Sequence, residues 1–177
     1  MPFYDSEVEV MIDRATLDAR VRELGAQITK DYAGKPLTVV GILKGSVFFA
    51  TDLAKAIDLP LTVEFLGVSS YAGGTETTGE VRITSDMTKP MAGKHLLIVE
   101  DIIDTGLTMK FLLENLGARH PASLKICALL EKPARARTKV AIDYKGFVIE
   151  DRFVVGYGLD FDEKFRNLPF IGVMKGK

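Results

Sequence analysis

Two segments of this sequence, LTVVGIL at 37–43 and LLIV at 96–99, are continuous apolar runs without the polar alternation of a half-exposed strand. Such runs suit strands covered on both faces, and strands of that kind belong to parallel sheets with helical crossovers. The intervening sequence supplies the helices. From Arg14 to Tyr32 the apolar residues Leu17, Val21, Leu24 and Ile28 recur every three or four positions, which predicts an amphipathic helix ending near Gly34. After LTVVGIL the chain breaks at Lys44-Gly45-Ser46, and a helix follows through about Ile57. LTVEFLGVS (61–69) and VRITSD (81–86) read as strands on either side of YAGGTETTGE (71–80), a polar stretch that cannot pack itself and reads as a mobile loop. LLIVEDI leads into a helix from about Leu107 to Leu116, stopping at Gly117; SLKICALLE, GFVIE and FVVGYG add strands, and Val8–Ile12 reads as an edge strand. The alternation predicts an α/β fold, a central and mainly parallel twisted sheet flanked by helices, with ligands gathered beyond the carboxyl ends of its strands.

The 177 residues fit one domain, with no repeat or linker to divide them. A net charge of −1 provides no positive field for nucleic acid or an anionic membrane, so an anionic ligand has to be gathered by local groups. The N-terminus shows no basic-then-apolar signal, and no apolar run approaches the roughly 20 residues that span a bilayer. The single cysteine, Cys127, lies in the apolar run LKICALL, reads as a core residue, and fits a reducing, cytoplasmic setting.

The chemistry concentrates in LLIVEDIIDTGLT (96–108). Here Glu100 and Asp101 are expected to emerge where the strand leaves the core. Adjacent carboxylates at that point need solvent, a cation or hydroxyl partners. Asp104-Thr105-Gly106-Leu107-Thr108 combines a turn, two hydroxyls and a glycine just before a helix. Backbone N–H groups and the helix dipole there suit a phosphate monoester, while the carboxylates suit a ribose diol or hydrated Mg²⁺. No GxxxxGK[ST] pattern occurs, so this is not a nucleoside-triphosphate P-loop. His95 and His120 lack metal-ligand spacing.

VEDIIDTGLT closely resembles the phosphoribosyl-pyrophosphate (PRPP) motif of the type I phosphoribosyltransferases. Over nearly the whole chain, the order of LKGS (43–46), SSY (69–71), this motif, LLEK (129–132) and DRFVVGYGLDFDEKFRNLP (151–169) is similar to the hypoxanthine-guanine branch of that family. The resemblance implies one phosphoribosyltransferase domain over 1–177, with a small hood from roughly 1–12 and 150–177. It implies that Glu100 and Asp101 hold the ribose hydroxyls, directly or through Mg²⁺ and water, and that Asp104 sits at N7 of a purine as proton acceptor. Asp104, Thr105, Gly106, Leu107 and Thr108 would cradle the 5′-phosphate. Lys44, Gly45 and Arg166 would meet pyrophosphate, with a non-proline cis peptide at Leu43–Lys44. Lys132 would donate to the exocyclic O6. Phe153 would stack on the base, and backbone groups of Phe153 and Val154 would read its edge. Asp160 is placed at the purine and on the Mg²⁺ that accompanies pyrophosphate. Ser70 and Tyr71 belong to a lid formed with residues 71–80. Some relatives carry lysine where this chain has Leu107, so here the backbone N–H groups have to hold the phosphate. The residues between Asp160 and Arg166, FDEKF, read as a helical turn, and Arg135, Arg137 and Lys139 as solvated or subunit-interface charges.

The implied reaction transfers 5-phosphoribosyl from PRPP to N9 of hypoxanthine or guanine, giving IMP or GMP and pyrophosphate, with Mg²⁺ as cofactor and a homodimer or homotetramer as the working form. Two alternatives stay open: a xanthine-preferring transferase, and a PRPP- or nucleotide-sensing regulator of the same fold. A neutral charge balance and the absence of a helix-turn-helix segment argue against the regulator.

Overall fold

The expected strands lie side by side in the computed structural model, which describes residues 7–70 and 81–176. β1 spans Val8–Ile12, β2 Leu37–Leu43, β3 Leu61–Ser70, β4 Val81–Ser85, β5 His95–Ile103, β6 Ser123–Glu131, β7 Tyr144–Val148, β8 Val154–Val155 and β9 Ile171–Met174. The helices are α1 (Arg14–Asp31), α2 (Val47–Ala56) and α3 (Leu107–Gly117), and a 3-10 turn covers Pro133–Arg135. Six strands form the main sheet in the order β4–β3–β2–β5–β6–β7, all parallel except β4, which runs antiparallel to β3.

Strand pleating explains why β2, β5 and β6 are apolar throughout. Val39, Leu97, Val99, Cys127 and Leu129 join one core with Leu17, Val21, Leu24 and Ile28 of α1 and Phe49 and Leu53 of α2. The alternate residues Val40, Ile42, Leu96, Ile98, Ile126 and Ala128 pack with Met109, Leu112 and Leu116 of α3 on the other face. Each face therefore needs apolar residues, and the alternation disappears. The first helix starts where Asp13 accepts the Thr16 N–H at 2.8 Å, an N-cap that satisfies one otherwise open donor. No helix of the described residues is long and apolar enough to cross a membrane.

A second, three-stranded antiparallel sheet has the order β1–β9–β8, with β1 at its edge. Its strands come from the two segments assigned to a hood, and Val8, Val155, Phe165, Leu168, Phe170 and Met174 pack together beneath it.

Two local expectations are corrected. β5 does not release its carboxylates at Val99. Its pairing with β6 continues through Glu100↔Ala128, Ile102↔Leu130 and Ile103↔Glu131, so Glu100 and Asp101 are buried at 8% and 9% exposure. FDEKF is not helical. Phe161 and Lys164 exchange backbone hydrogen bonds of 3.1 and 3.0 Å around Asp162 (φ 52°) and Glu163 (φ 61°). Positive φ at both central residues is the pattern of a type I′ hairpin turn. The proposed lid segment 71–80, Tyr71 included, lies outside the described residues, as does the side chain of Ser70 at the end of β3.

Candidate active site

β5 ends at Ile103, and Asp104-Thr105-Gly106 turns the chain into α3. Gly106, the residue before the helix, has φ +80°, and a Cβ there would lie 2.6 Å from the Thr138 carbonyl, so conformation and contact both require glycine. The Thr105 carbonyl accepts two N–H groups, from Arg137 at 3.0 Å and Thr138 at 3.1 Å, which braces the turn from outside. No side chain caps α3. The first-turn N–H groups of a helix lack intrahelical acceptors, so this end is open to an anion. Leu107 N–H is 3.4 Å from Thr105 Oγ1, a long contact that leaves the donor largely available.

Glu100 and Asp101 line the same cavity as Gly45, Asp104, Thr105, Gly106 and Thr108. Burial, and then the adjacent Asp101 charge, push the Glu100 carboxyl well above its ordinary range. Burial also raises Asp101, against hydrogen bonds from Glu100 and the Ile102 backbone and the charge of Arg166. Two adjacent carboxyls in a buried cleft form a receptor for hydroxyls or a divalent cation. A Cβ on Gly45 would lie 1.9 Å from Asp101 Oδ2, so only glycine lets the loop after β2 press onto this carboxylate. That loop begins with a cis peptide at Leu43–Lys44.

An adjoining cavity, which shares Leu43 and Val68 with the first, contains Lys44, Glu163 and Arg166. Lys44 Nζ lies 3.0 Å from Glu163 Oε2. Arg166 Nη2 lies 2.9 Å from Asp160 Oδ1 and 3.3 Å from Glu163 Oε1, while Nη1 donates to the Gly158 carbonyl at 2.8 Å. Asp160 Oδ2 accepts the Glu163 N–H at 2.8 Å and so fixes the hairpin turn. Lys44, then Arg166, hold the Glu163 carboxyl below its usual value.

A third cavity shares Ile103 and Asp104 with the first and includes Lys132. The Lys132 backbone N–H donates to the Ile103 carbonyl at 3.0 Å, which sets the end of β6 against the end of β5. Its side chain is 9% exposed. Arg135 Nε lies 2.8 Å from Asp104 Oδ1, although that oxygen has no aligned hydrogen bond. Arg135, expected as a solvated or subunit-interface charge, is half exposed and paired with Asp104, to which the Lys132–Arg135 turn brings it. Phe153 is 41% exposed, and its ring meets Phe161 edge-on, with centroids 5.6 Å apart. Met174 N–H donates to the Phe153 carbonyl at 3.0 Å. The next pair, Val154 opposite Val173, is therefore non-hydrogen-bonded, and the Val154 N–H and carbonyl face away from β9. The Phe153 carbonyl is committed to the sheet, whereas the Val154 backbone is free of it.

The structure thus brings Glu100, Asp101, Asp104, Thr105, Gly106, Thr108 and Gly45 to one cavity, with Lys132 on one side and Lys44 and Arg166 on the other. Leu107, Phe153, Val154 and Asp160 do not line these cavities; Asp160 is connected through Arg166. Glu163, Arg135 and Asp151 escaped sequence reasoning, because exposed charges in loops carry no local signal of their partners. Cys127 is buried as expected. His95 Nδ1 is 2.7 Å from Ser123 Oγ, and the described residues hold no cluster of three metal-ligating side chains.

Residues 13–162 match the family model of the phosphoribosyl transferase domain. A hypoxanthine-guanine phosphoribosyltransferase of Staphylococcus aureus is 51% identical over 167 residues, covering 94% of this chain and 93% of the relative. A hypoxanthine phosphoribosyltransferase of Haemophilus influenzae is 49% identical over 168 residues, 93% of this chain and 94% of the relative. The crystal structure of a hypoxanthine phosphoribosyltransferase from S. aureus superposes with a TM-score of 0.91 at 51% identity, covering 94% of this chain and 91% of that one.

Proposed function

This chain belongs to the phosphoribosyltransferase family, and we propose that it is a purine-salvage enzyme that transfers 5-phosphoribosyl from PRPP to N9 of hypoxanthine or guanine, releasing pyrophosphate. The observation that carries this reading is the position of Asp104. It lies in the cavity with the buried carboxylates and the helix start, and also in the cavity with Lys132. A sugar phosphate in one and a 6-oxopurine in the other would meet beside it.

In this reading the open N–H groups at the start of α3 and the hydroxyls of Thr105 and Thr108 hold the 5′-phosphate. Glu100 and Asp101 take the ribose hydroxyls. The bond from C1′ to the pyrophosphate oxygen breaks as the bond from N9 to C1′ forms, and Asp104 takes a proton from the purine at N7. Lys44 and Arg166 neutralise the departing pyrophosphate. Lys132 donates to O6, Phe153 stacks on the ring, and the unpaired Val154 backbone reads its edge. Ser70 and Tyr71, with the segment after them, would exclude water from the cationic ribose centre.

The donor set fits Mg²⁺. Glu100 and Asp101 place two hard oxygen ligands in a buried site, and the nearby Arg166 guanidinium is already paired with Asp160 and Glu163. Two carboxylates without a third protein ligand suit an ion that keeps waters and substrate oxygens in its shell. Bound there and near Asp160, it would neutralise charge on the leaving group.

Steady-state assays with PRPP, Mg²⁺ and each of hypoxanthine, guanine and xanthine test the reading. Turnover of hypoxanthine or guanine is expected. A preference for xanthine would reassign the base. Sequence-specific DNA or RNA binding without any turnover would favour the regulator.

A further inference from the structure

Lys132 is a nearly buried cation, and a buried charge is costly without a counter-charge. Its carboxylate partner is Asp151, whose Oδ1 lies 3.8 Å from Nζ. That separation is too long for a hydrogen bond, so the attraction is coulombic and the ammonium protons stay available for another acceptor. The same Asp151 oxygen is 3.7 Å from Arg135 Nη1. Arg135 Nε in turn is 2.8 Å from Asp104 Oδ1. Cations and carboxylates therefore alternate along one line: Lys132, Asp151, Arg135, Asp104. Three separate pieces of chain meet in it: the turn after β5 with Asp104, the stretch after β6 with Lys132 and Arg135, and the residues before β8 with Asp151. Asp151 also stands two positions before Phe153, so the chain that carries the ring carries the counter-charge.

We propose that Asp151 is a positioning residue of the base site, holding the Lys132 ammonium ready for a carbonyl acceptor and coupling it to Asp104 through Arg135. This rests on the reading of Lys132 and Asp104 as the groups that meet the purine. It goes beyond that reading by assigning the setting of both groups to a residue that touches neither substrate. Asp151 supplies charge without consuming the Lys132 protons. A neutral isostere keeps the shape and removes the attraction, so base binding suffers while the sugar-phosphate end does not.

The test is steady-state kinetics of D151N, D151E, R135Q and the double variant D151N/R135Q, with hypoxanthine and PRPP varied separately. The Asn variant is expected to raise the KM for hypoxanthine about tenfold, with the KM for PRPP and kcat within about twofold. The Glu variant should recover most of the loss. The double variant should be non-additive, because both changes break one line of charges. Equal rises in both KM values, an unchanged KM for hypoxanthine, or strictly additive effects would overturn the proposal. Absence of 6-oxopurine transfer by the unaltered protein would instead overturn the functional reading on which it rests.

Discussion

Glu163 Oε2 lies 3.0 Å from Lys44 Nζ, while the other Glu163 oxygen reaches Arg166 at 3.3 Å, so one carboxylate spans both cations assigned to pyrophosphate. An anion entering that cavity competes with Glu163 for the two positive charges. Glu163→Gln should therefore bind magnesium pyrophosphate a few-fold more tightly than the unaltered protein, and the gain should shrink with added salt. Isothermal titration calorimetry checks this. Weaker binding by the variant would mean that Glu163 arranges the cations and does not compete for them.

Asp104 stands between the two halves of the site. Replacing it by Asn keeps the volume and removes the proposed proton acceptor. The expected loss in kcat is about 10²–10⁴-fold, with PRPP binding largely kept. Single-turnover kinetics with a separate PRPP titration measures the two effects; a full-speed chemical step would refute the role.

Glu100 gives a pH signature. Burial, then the Asp101 charge, raise its carboxyl in the folded state well above the ordinary 4.5. As pH rises above that ordinary value the unfolded chain gives up this proton while the folded protein retains it, so stability falls with pH up to the raised folded value. Glu100→Gln removes the penalty. In chelator, the variant should show a higher Tm than the unaltered protein at pH 7 and a flatter pH profile above about 4.5. Added Mg²⁺ should raise the Tm of the unaltered protein more than that of the variant. A variant less stable at pH 7 would contradict the cause assigned to the shift.

Gly106→Ala adds a Cβ at φ +80°, 2.6 Å from the Thr138 carbonyl. The backbone conformation alone costs about 1–2 kcal/mol, and the contact adds to it. Denaturant unfolding should show a loss of at least that size, together with weaker PRPP binding from a distorted turn. Unaltered stability would mean that the turn relaxes freely.

The fold was legible because burial on both faces leaves little ambiguity: runs such as LTVVGIL cannot be placed at a surface, and the 3.6-residue spacing of Leu17, Val21, Leu24 and Ile28 admits one face. The turn before α3 was legible because a glycine and two hydroxyls before a helix have a backbone reason to occur together. What was missed depends on partners distant in the chain. Glu100 and Asp101 look like a strand end until β6 is seen to pair beyond them. Asp162 and Glu163 favour a helical turn by local pattern, and only Asp160 with its bond to the Glu163 N–H reveals the hairpin. Arg135 stands in a basic tract that reads as solvated, and nothing nearby names Asp104 as its partner.

In the proposed reaction one site joins a phosphoribosyl donor to a 6-oxopurine. Incubating the purified protein with PRPP, Mg²⁺ and hypoxanthine or guanine, and quantifying nucleotide and pyrophosphate together, tests it most directly. IMP or GMP should form one for one with pyrophosphate, and both products should be lost in Lys132→Ala at base concentrations that saturate the unaltered protein. Pyrophosphate released without nucleotide, or no turnover of either base, would contradict it.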